Sequence, residues 1–271
     1  MTNERAGRRN WFITGVSGGI GRAIAAAALA RGDRVVGTVR READAAAFEA
    51  LAPGSAFPLL LDVDQTEQAP VAAAAAIARL GRIDIVVNNA GRSLWGAVEE
   101  TAIADARALF DTNVFGPMAV MQAFLPHFRG QGGGTVVNMS SGCGLFAVPA
   151  VGVYSASKFA LEGLSEAVAA ETAGFGVKIM LVEPGAVRTR FISHGTTETA
   201  HRMPEYAAVL GPGKAALDAY YETAASPPED IADAILAALD RADPPFRLIV
   251  GADMRAAVEA KLAGLAAAAE G

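Results

Sequence analysis

Seven short apolar runs alternate with alanine-rich stretches along nearly the whole chain, and few folds accommodate that rhythm. The runs are Asn10–Thr14, Arg34–Val39, Phe57–Leu61, Ile83–Asn88, Thr135–Met139, Lys178–Glu183 and Arg247–Val250. Most are nearly continuous in Val, Ile, Leu and Phe, the pattern of parallel strands covered on both faces. Helical stretches lie between them at about Gly19–Arg31, Gln65–Leu80, Ala104–Phe128, Tyr154–Gly174 and Pro228–Arg241. Strict alternation builds an α/β fold: a Rossmann-type, doubly wound parallel sheet of about seven strands with helices on both faces. The last helix opens Ser226-Pro227-Pro228-Glu229, the signature of a capping box with proline in the first turn. No linker or shift in composition divides the chain, so a single domain over residues 1–271 is expected.

Charge and cysteine content narrow the function classes. A formal net charge of −6 lacks the basic excess of a nucleic-acid surface. The lone Cys143 cannot form an intramolecular disulfide and suits a reducing compartment. The first ten residues are polar and basic, unlike a secretory signal, and runs such as Ala23–Ala30 fall short of a membrane span. A cytoplasmic protein without a membrane span is expected. His127, His194 and His201 are scattered with no cysteine cluster nearby, and no metal site is expected.

One segment breaks the rhythm. Between Pro184-Gly185 and Ser226, roughly forty residues show no strand pattern. They contain Phe191, Met203, Tyr206, Leu210, Tyr220 and Tyr221, and an irregular substrate loop is expected over about 190–225. Gly195, Gly211 and Gly213 are candidate hinges for it.

Thr14-Gly15-Val16-Ser17-Gly18-Gly19-Ile20-Gly21 joins the first strand to the first helix. Glycine lets the backbone turn tightly and approach a pyrophosphate, which then rests on the helix N-terminus. The spacing departs from the common Gly-x-Gly-x-x-Gly fingerprint, but its place at the first strand–helix junction indicates nucleotide binding. The second strand ends Thr38-Val39-Arg40-Arg41, with no carboxylate until Glu42. A carboxylate there would hold the ribose hydroxyls of NAD; guanidiniums suit a 2′-phosphate, so NADP(H) is preferred over NAD(H).

The third motif handles protons. Tyr154 and Lys158 lie four apart and share a helix face, so the ammonium can sit beside the phenol oxygen. A phenol ionises near pH ~10, and lowering that by about 3 units needs ~4 kcal/mol of interaction with a neighbouring charge. The Ser141 hydroxyl can orient the substrate oxygen that exchanges the proton.

With Asn88-Asn89-Ala90-Gly91 after the fourth strand, Asn113 and Pro184-Gly185, these motifs resemble the short-chain dehydrogenase/reductase family. The resemblance is to its single-domain branch and runs from Trp11 to Val250. It implies that Tyr154 is the acid-base, that Lys158 lowers the tyrosine pKa and bonds the nicotinamide ribose, and that Ser141, thirteen before the tyrosine, orients the carbonyl. It also implies that Asn113 holds a water linking Lys158 to solvent. Cofactor contacts carried over are Gly15, Ser17, Gly19, Ile20 and Gly21, with Asp62 and Val63 at the adenine and Asn89, Ala90 and Gly91 as the floor. Pro184, Val187 and Thr189 would close over the nicotinamide amide and phosphates. Glu183 stands where many relatives carry asparagine, and Gly18 where serine is frequent. Cys143, with no histidine base near it in sequence, reads as a lining residue rather than a nucleophile.

The expected activity is NADP(H)-dependent interconversion of a ketone or aldehyde and an alcohol, as in an alcohol dehydrogenase or carbonyl reductase. Leu94, Trp95, Phe146, Val148 and Val151 flank the motifs and favour a bulky, mostly apolar small-molecule substrate, with Trp95, Ser141, Phe146 and Tyr154 touching it. By family analogy the chain forms a homodimer or homotetramer through Ala104–Phe128 and Tyr154–Gly174. Two alternatives carry similar motifs. A 3-oxoacyl thioester ketoreductase of fatty-acid or polyketide type is disfavoured by the absence of a basic patch near the pocket loops. A non-catalytic nucleotide-sensing module is disfavoured by the intact Asn113-Ser141-Tyr154-Lys158 set.

Overall fold

Alternating side chains of the first strand show how the fold is assembled. A computed structural model of the protein describes residues 7–223 and 225–269. In β1 (Asn10–Ile13), Trp11 and Ile13 point to one face of the sheet and Phe12 to the other, and all three are buried. The remaining strands are β2 (Arg34–Val39), β3 (Ala56–Leu60), β4 (Ile85–Asn88), β5 (Ser93–Trp95), β6 (Gly134–Met139), β7 (Val177–Pro184), β8 (Thr196–Glu198) and β9 (Arg247–Val250). Seven of them form one all-parallel sheet in the order β3-β2-β1-β4-β6-β7-β9, as the apolar runs predict, each within two residues of its expected ends.

Helices α1 (Gly19–Ala30), α2 (Glu42–Glu49), α3 (Ala69–Leu80), α4 (Ile103–Phe110), α5 (Gly116–Gln131) and α6 (Gly152–Thr172) follow in chain order, then α7 (Phe191–His194), α8 (Pro204–Thr223), α9 (Pro228–Leu239) and α10 (Ala252–Ala269). On the face of Trp11, α1 and α9 bury Ile24, Ala28, Ile235 and Leu236 against the sheet. On the face of Phe12, α3, α5 and α6 supply Ala73, Phe124, Phe128 and Val168, and the Phe12 and Phe124 rings lie 4.7 Å apart. Each fully buried large side chain contributes about 1.5–3 kcal/mol relative to exposure.

A polar ladder crosses this apolar interior. Asn88 Nδ2 donates to Asn138 Oδ1 at 2.8 Å, and Asn138 Nδ2 donates to Ser165 Oγ at 2.8 Å. It ties β4 and β6 to α6 and fixes that helix at one height against the sheet. Among the described residues no helix is long and apolar enough to cross a membrane.

Four expectations need correction. The segment after β7 is not irregular: it holds α7, the short strand β8 and the 20-residue helix α8. Gly211 and Gly213 lie within α8, so they are not loop hinges there; the helix runs through Gly-Pro-Gly, supported beyond it by Lys214 and Asp218 one turn apart at 2.9 Å. The side chains of His194 and Tyr220 lie outside the described residues. The single helix expected over Ala104–Phe128 is interrupted by a π-helical turn at Asp111–Phe115. Ser226 makes no capping box: Pro227 is the N-cap of α9, while Ser226 exchanges backbone hydrogen bonds with Ala186 and Arg188 at 3.0 and 2.8 Å. That pairing pins the end of the segment after β7 to the base of α9. Helix α2, between β2 and β3, was not anticipated because Ala45–Ala47 adjoins no apolar stripe broad enough to read; Phe48 is its one buried residue.

Candidate active site

The first strand ends in a turn that only glycine can complete. Gly15 and Gly19 have φ of +75° and +56°, a region that L side chains rarely adopt. A Cβ on Gly21 would run into Asn89 Nδ2 and the Gly15 carbonyl. Thr14 Oγ accepts from the Asn89 and Ala90 amides at 2.9 and 3.0 Å, and Asn89 Nδ2 returns to the Thr14 and Gly15 carbonyls at 2.9 and 3.1 Å. The Asn89–Gly91 stretch and the glycine turn are thus one rigid unit. Val16 N donates to Thr38 O at 3.0 Å, which carries the unit on to β2. Ser17 is exposed and Ile20 half-buried at the mouth, and α1 has no acidic residue in its first turn. This concave, carboxylate-free helix start fits a dinucleotide's pyrophosphate.

The other expected cofactor residues ring the same edge of the sheet. Arg40 is exposed at the end of β2. Asp62 and buried Val63 follow β3, with Asp62 Oδ1 accepting from the Asp64 amide at 3.3 Å. Pro184 ends β7, and Val187 is buried where it bridges Ser226. Thr189 approaches the turn directly, its Cβ and Cγ2 lying 3.4 Å from where a Cβ on Gly19 would stand.

The proton-handling set comes together on α6 and the exit of β6. Ser141 caps the short helical turn Gly142–Gly144, its Oγ accepting from the Cys143 amide at 3.2 Å. The Ser141 hydroxyl is within hydrogen-bonding influence of the Tyr154 phenol and eases its ionisation, but burial has the larger effect and pushes the phenol well above its ordinary value. Lys158 is buried, with Nζ donating to the Met139 carbonyl at 2.8 Å and lying 5.8 Å from the Tyr154 ring centroid. Burial lowers its pKa to about 8. Burial is thus the largest influence on the phenol, against the downward pull expected of Lys158. The ammonium is held by a carbonyl over the ring, and burial opposes charge on both groups. At neutral pH Tyr154 keeps its proton, the state of a proton donor, and Lys158 keeps its charge. Burial likewise pushes the Cys143 thiol up, against a nucleophilic role.

Asn113 sits in the π-helical turn, buried, with Nδ2 donating to the Arg92 carbonyl at 2.9 Å and Ser157 Oγ at 3.0 Å, while Oδ1 accepts from Arg92 N at 3.0 Å. Its oxygen and Lys158 Nζ lie 3.3 and 3.8 Å from the place of a Cβ on Gly91, so both face that glycine. Behind Lys158, Arg247 binds Glu162, Glu183 at 3.1 Å and Glu166 at 2.5 Å. Burial, and then the neighbouring Glu162, push Glu183 up to about 7.

The wall facing Tyr154 is apolar. Trp95, Ala97, Ala150, Val151 and Leu210 form a buried cluster against which Tyr154, Tyr206 and Cys143 pack. A cavity of ≈ 380 Å³ opens beside it, lined in part by Ala97, Val148, Pro149, Tyr206 and Leu210. Phe146 lies over Gly142, 3.4 Å from its would-be Cβ, together with Met254 from α10. Two residues outside the expected set of site residues also belong to it, one of them Phe191 of the expected substrate loop. The Phe191 ring lies 6.2 Å from that of Tyr154, and Met139 contributes the carbonyl that holds Lys158. The first had a signal, an aromatic two residues past Thr189; a backbone acceptor leaves none.

The short segment that carries Phe191 is attached by a second, two-stranded sheet. Strands β5 and β8 pair in parallel over Ser93↔Thr196, Leu94↔Thr197 and Trp95↔Glu198. The buried Glu100 carboxylate accepts from the Ala97 and Met203 amides at 2.9 and 2.8 Å and clamps the same region from below.

Comparison with known proteins extends these observations beyond a single chain. The sequence profile described as short chain dehydrogenase matches residues 9–199. Oxidoreductase BOA17 of Botryotinia fuckeliana is 37% identical over 244 residues, covering 90% of this chain and 89% of that protein. The human 17-beta-hydroxysteroid dehydrogenase type 1 is 36% identical over 256 residues, covering 87% and 75%. A crystal structure of a short-chain dehydrogenase from Streptomyces avermitilis superposes with a TM-score of 0.90 at 41% identity, covering 97% of this chain and 95% of that one. Agreement of this extent in both sequence and fold makes the chain a member of the short chain dehydrogenases, a family of oxidoreductases.

Proposed function

We propose that this oxidoreductase uses NADP(H) to interconvert a ketone or aldehyde and an alcohol on a bulky, mostly apolar substrate. One observation carries the reading: Tyr154 packs at an apolar cluster where the Ser141 hydroxyl eases its ionisation, with the Lys158 ammonium held by the Met139 carbonyl 5.8 Å from the tyrosine ring. The nicotinamide, when bound, supplies or accepts the hydride. The protein's own groups do the rest. Ser141 orients the substrate oxygen, and Tyr154, kept protonated by burial, gives that oxygen its proton during reduction. Lys158 retains its charge at neutral pH and is available to the ribose hydroxyls. The Trp95–Leu210 cluster and Phe191 exclude water from the reacting carbon.

Support for NADP(H) comes from the end of β2. Arg41 is occupied by Asp44 at 2.8 Å, whereas Arg40 makes no hydrogen bond or ion pair among the described residues and stands exposed. Support for a bulky substrate comes from the apolar wall and from the steroid named in the human relative. Exposed Phe115, Met118 and Phe159, on or next to α5 and α6, support a homodimer or homotetramer. Turnover with NADPH and with NADH across ketones of increasing apolar size tests the whole reading. Catalytic efficiency should rise with apolar size and favour NADPH; a preference for small charged substrates would overturn it.

A further inference from the structure

Two cations far apart in the sequence stand near the glycine turn without an ion pair among the described residues. Arg40 arrives from the end of β2. Arg190 arrives from the segment after β7, and its Nη2 lies 3.0 Å from where a Cβ on Gly18 would sit, over the start of α1. Neither forms an ion pair or side-chain hydrogen bond among the described residues, and both are exposed. Their common neighbour is Asp44, which Arg41 already holds through two contacts of 2.8 and 3.0 Å. That contact lowers the Asp44 pKa most, and the charges of Arg190 and then Arg40 lower it further.

Arg190 over the turn and Arg40 at the exit of β2 stand on elements joined by the Val16–Thr38 hydrogen bond. Two like charges brought together in this way repel unless an anion lies between them, and a phosphate monoester has oxygens enough for both. Glycine at 18 leaves the room that Arg190 uses.

We propose that Arg190 is a specificity-determining residue that grips the 2′-phosphate of NADP(H) from across the glycine turn, opposite Arg40. The inference rests on the NADP(H) reading given above. It adds a coupling that the reading does not contain. Arg190 immediately precedes Phe191, whose ring packs on that of Tyr154. A cofactor bearing the 2′-phosphate therefore anchors the segment that walls the substrate cleft, and one lacking it leaves that segment unanchored.

The test is binding, not turnover. The unmodified protein, Arg190→Ala, Arg190→Lys and Arg40→Ala are titrated calorimetrically with NADPH, NADH and adenosine 2′,5′-bisphosphate. Arg190→Ala should weaken NADPH and the bisphosphate by about 10–100-fold and NADH by less than about threefold, with Arg190→Lys between. Hydrogen exchange across residues 191–199 should slow on adding NADPH to the unmodified protein, and not in Arg190→Ala. Equal weakening of NADPH and NADH would assign Arg190 to the pyrophosphate and overturn the proposal, as would unchanged binding of all three ligands. Equal affinity of the unmodified protein for NADPH and NADH would instead bring down the cofactor reading itself. A preference for NADPH that Arg40→Ala abolishes and Arg190→Ala leaves intact would bring down the Arg190 proposal alone.

Discussion

The seven-stranded sheet and the two-stranded sheet use the same parallel pairing to opposite ends. In the large sheet β1 and β4 are buried throughout, helices cover both faces, and the Asn88–Asn138–Ser165 ladder locks α6 in place. In the small one each strand is three residues long; β5 is buried, while β8 is half-buried at Thr196 and shows Thr197 and Glu198 to solvent. Tyr154, Lys158 and Ser141 belong to the first region; Trp95 and, through α7, Phe191 are held by the second. Local opening of a buried, ladder-locked element requires free energy close to that of global unfolding, while a short exposed pairing opens with little. On the proposed reading, proton transfer rests on the helix-covered sheet and substrate fit on the shorter, partly exposed pairing. Selectivity can then drift without disturbing the chemistry.

The largest expected effect tests the stiff region. Tyr154→Phe keeps the ring's packing and removes the proton donor, so kcat should fall by roughly 10²–10⁴ with the melting temperature unchanged. Loss of folding instead would show that the hydroxyl holds structure rather than moving a proton. Lys158→Met should lower kcat as well and also weaken cofactor binding in a direct titration.

The next effect sharpens the contrast through pH. Glu183, raised from 4.5 to about 7, binds more protons folded than unfolded between those values, so stability falls as pH rises through that window. Lys158, lowered from 10.5 to about 8, binds fewer protons folded, so stability of the protein without ligand rises between pH 8 and 10.5. Urea unfolding across pH should show Glu183→Gln removing the first slope and Lys158→Met the second, each by roughly 3 kcal/mol. An unchanged profile in either variant would mean that the group titrates normally.

The smallest effect belongs to the soft region. Trp95→Ala should reduce catalytic efficiency toward large ketones by about tenfold more than toward small ones, a difference of ~1–1.5 kcal/mol. Equal losses at every substrate size would move Trp95 from the substrate wall into the general core.

What the amino-acid sequence makes legible follows the same division. The strands of the large sheet are readable: burial on both faces demands unbroken Val, Ile and Leu in the inner ones, and the partly buried edge strands β3 and β9 keep short apolar runs. The glycine turn and the Tyr154–Lys158 pair are readable because their chemistry needs fixed residues at fixed spacing. Strands β5 and β8 are not, since three residues give no period and Thr196-Thr197-Glu198 carries no apolar face. Helix α8 is hidden by Gly211-Pro212-Gly213, which reads as a break yet is carried within the helix. The pKa order at Tyr154 and Lys158 is hidden for another reason: spacing shows that two groups meet but not how deeply both are buried.

The π-helical turn at Asp111–Phe115 has a consequence for the length of the chain. A π turn holds an extra residue relative to an α turn, and helix positions are about 100° apart. The turn absorbs that residue, so α4 before it and α5 after it keep nearly the phase of one continuous helix. Deleting one residue from Asp111–Phe115 should let the backbone close to regular α geometry with Phe124 and Phe128 still toward the sheet, while shifting Asn113 relative to Arg92 and Ser157. The same deletion inside α5 has no bulge to absorb it and would turn the residues on one side of it by about 100° against those on the other. One missing residue should therefore cost the site in the first place and the fold in the second.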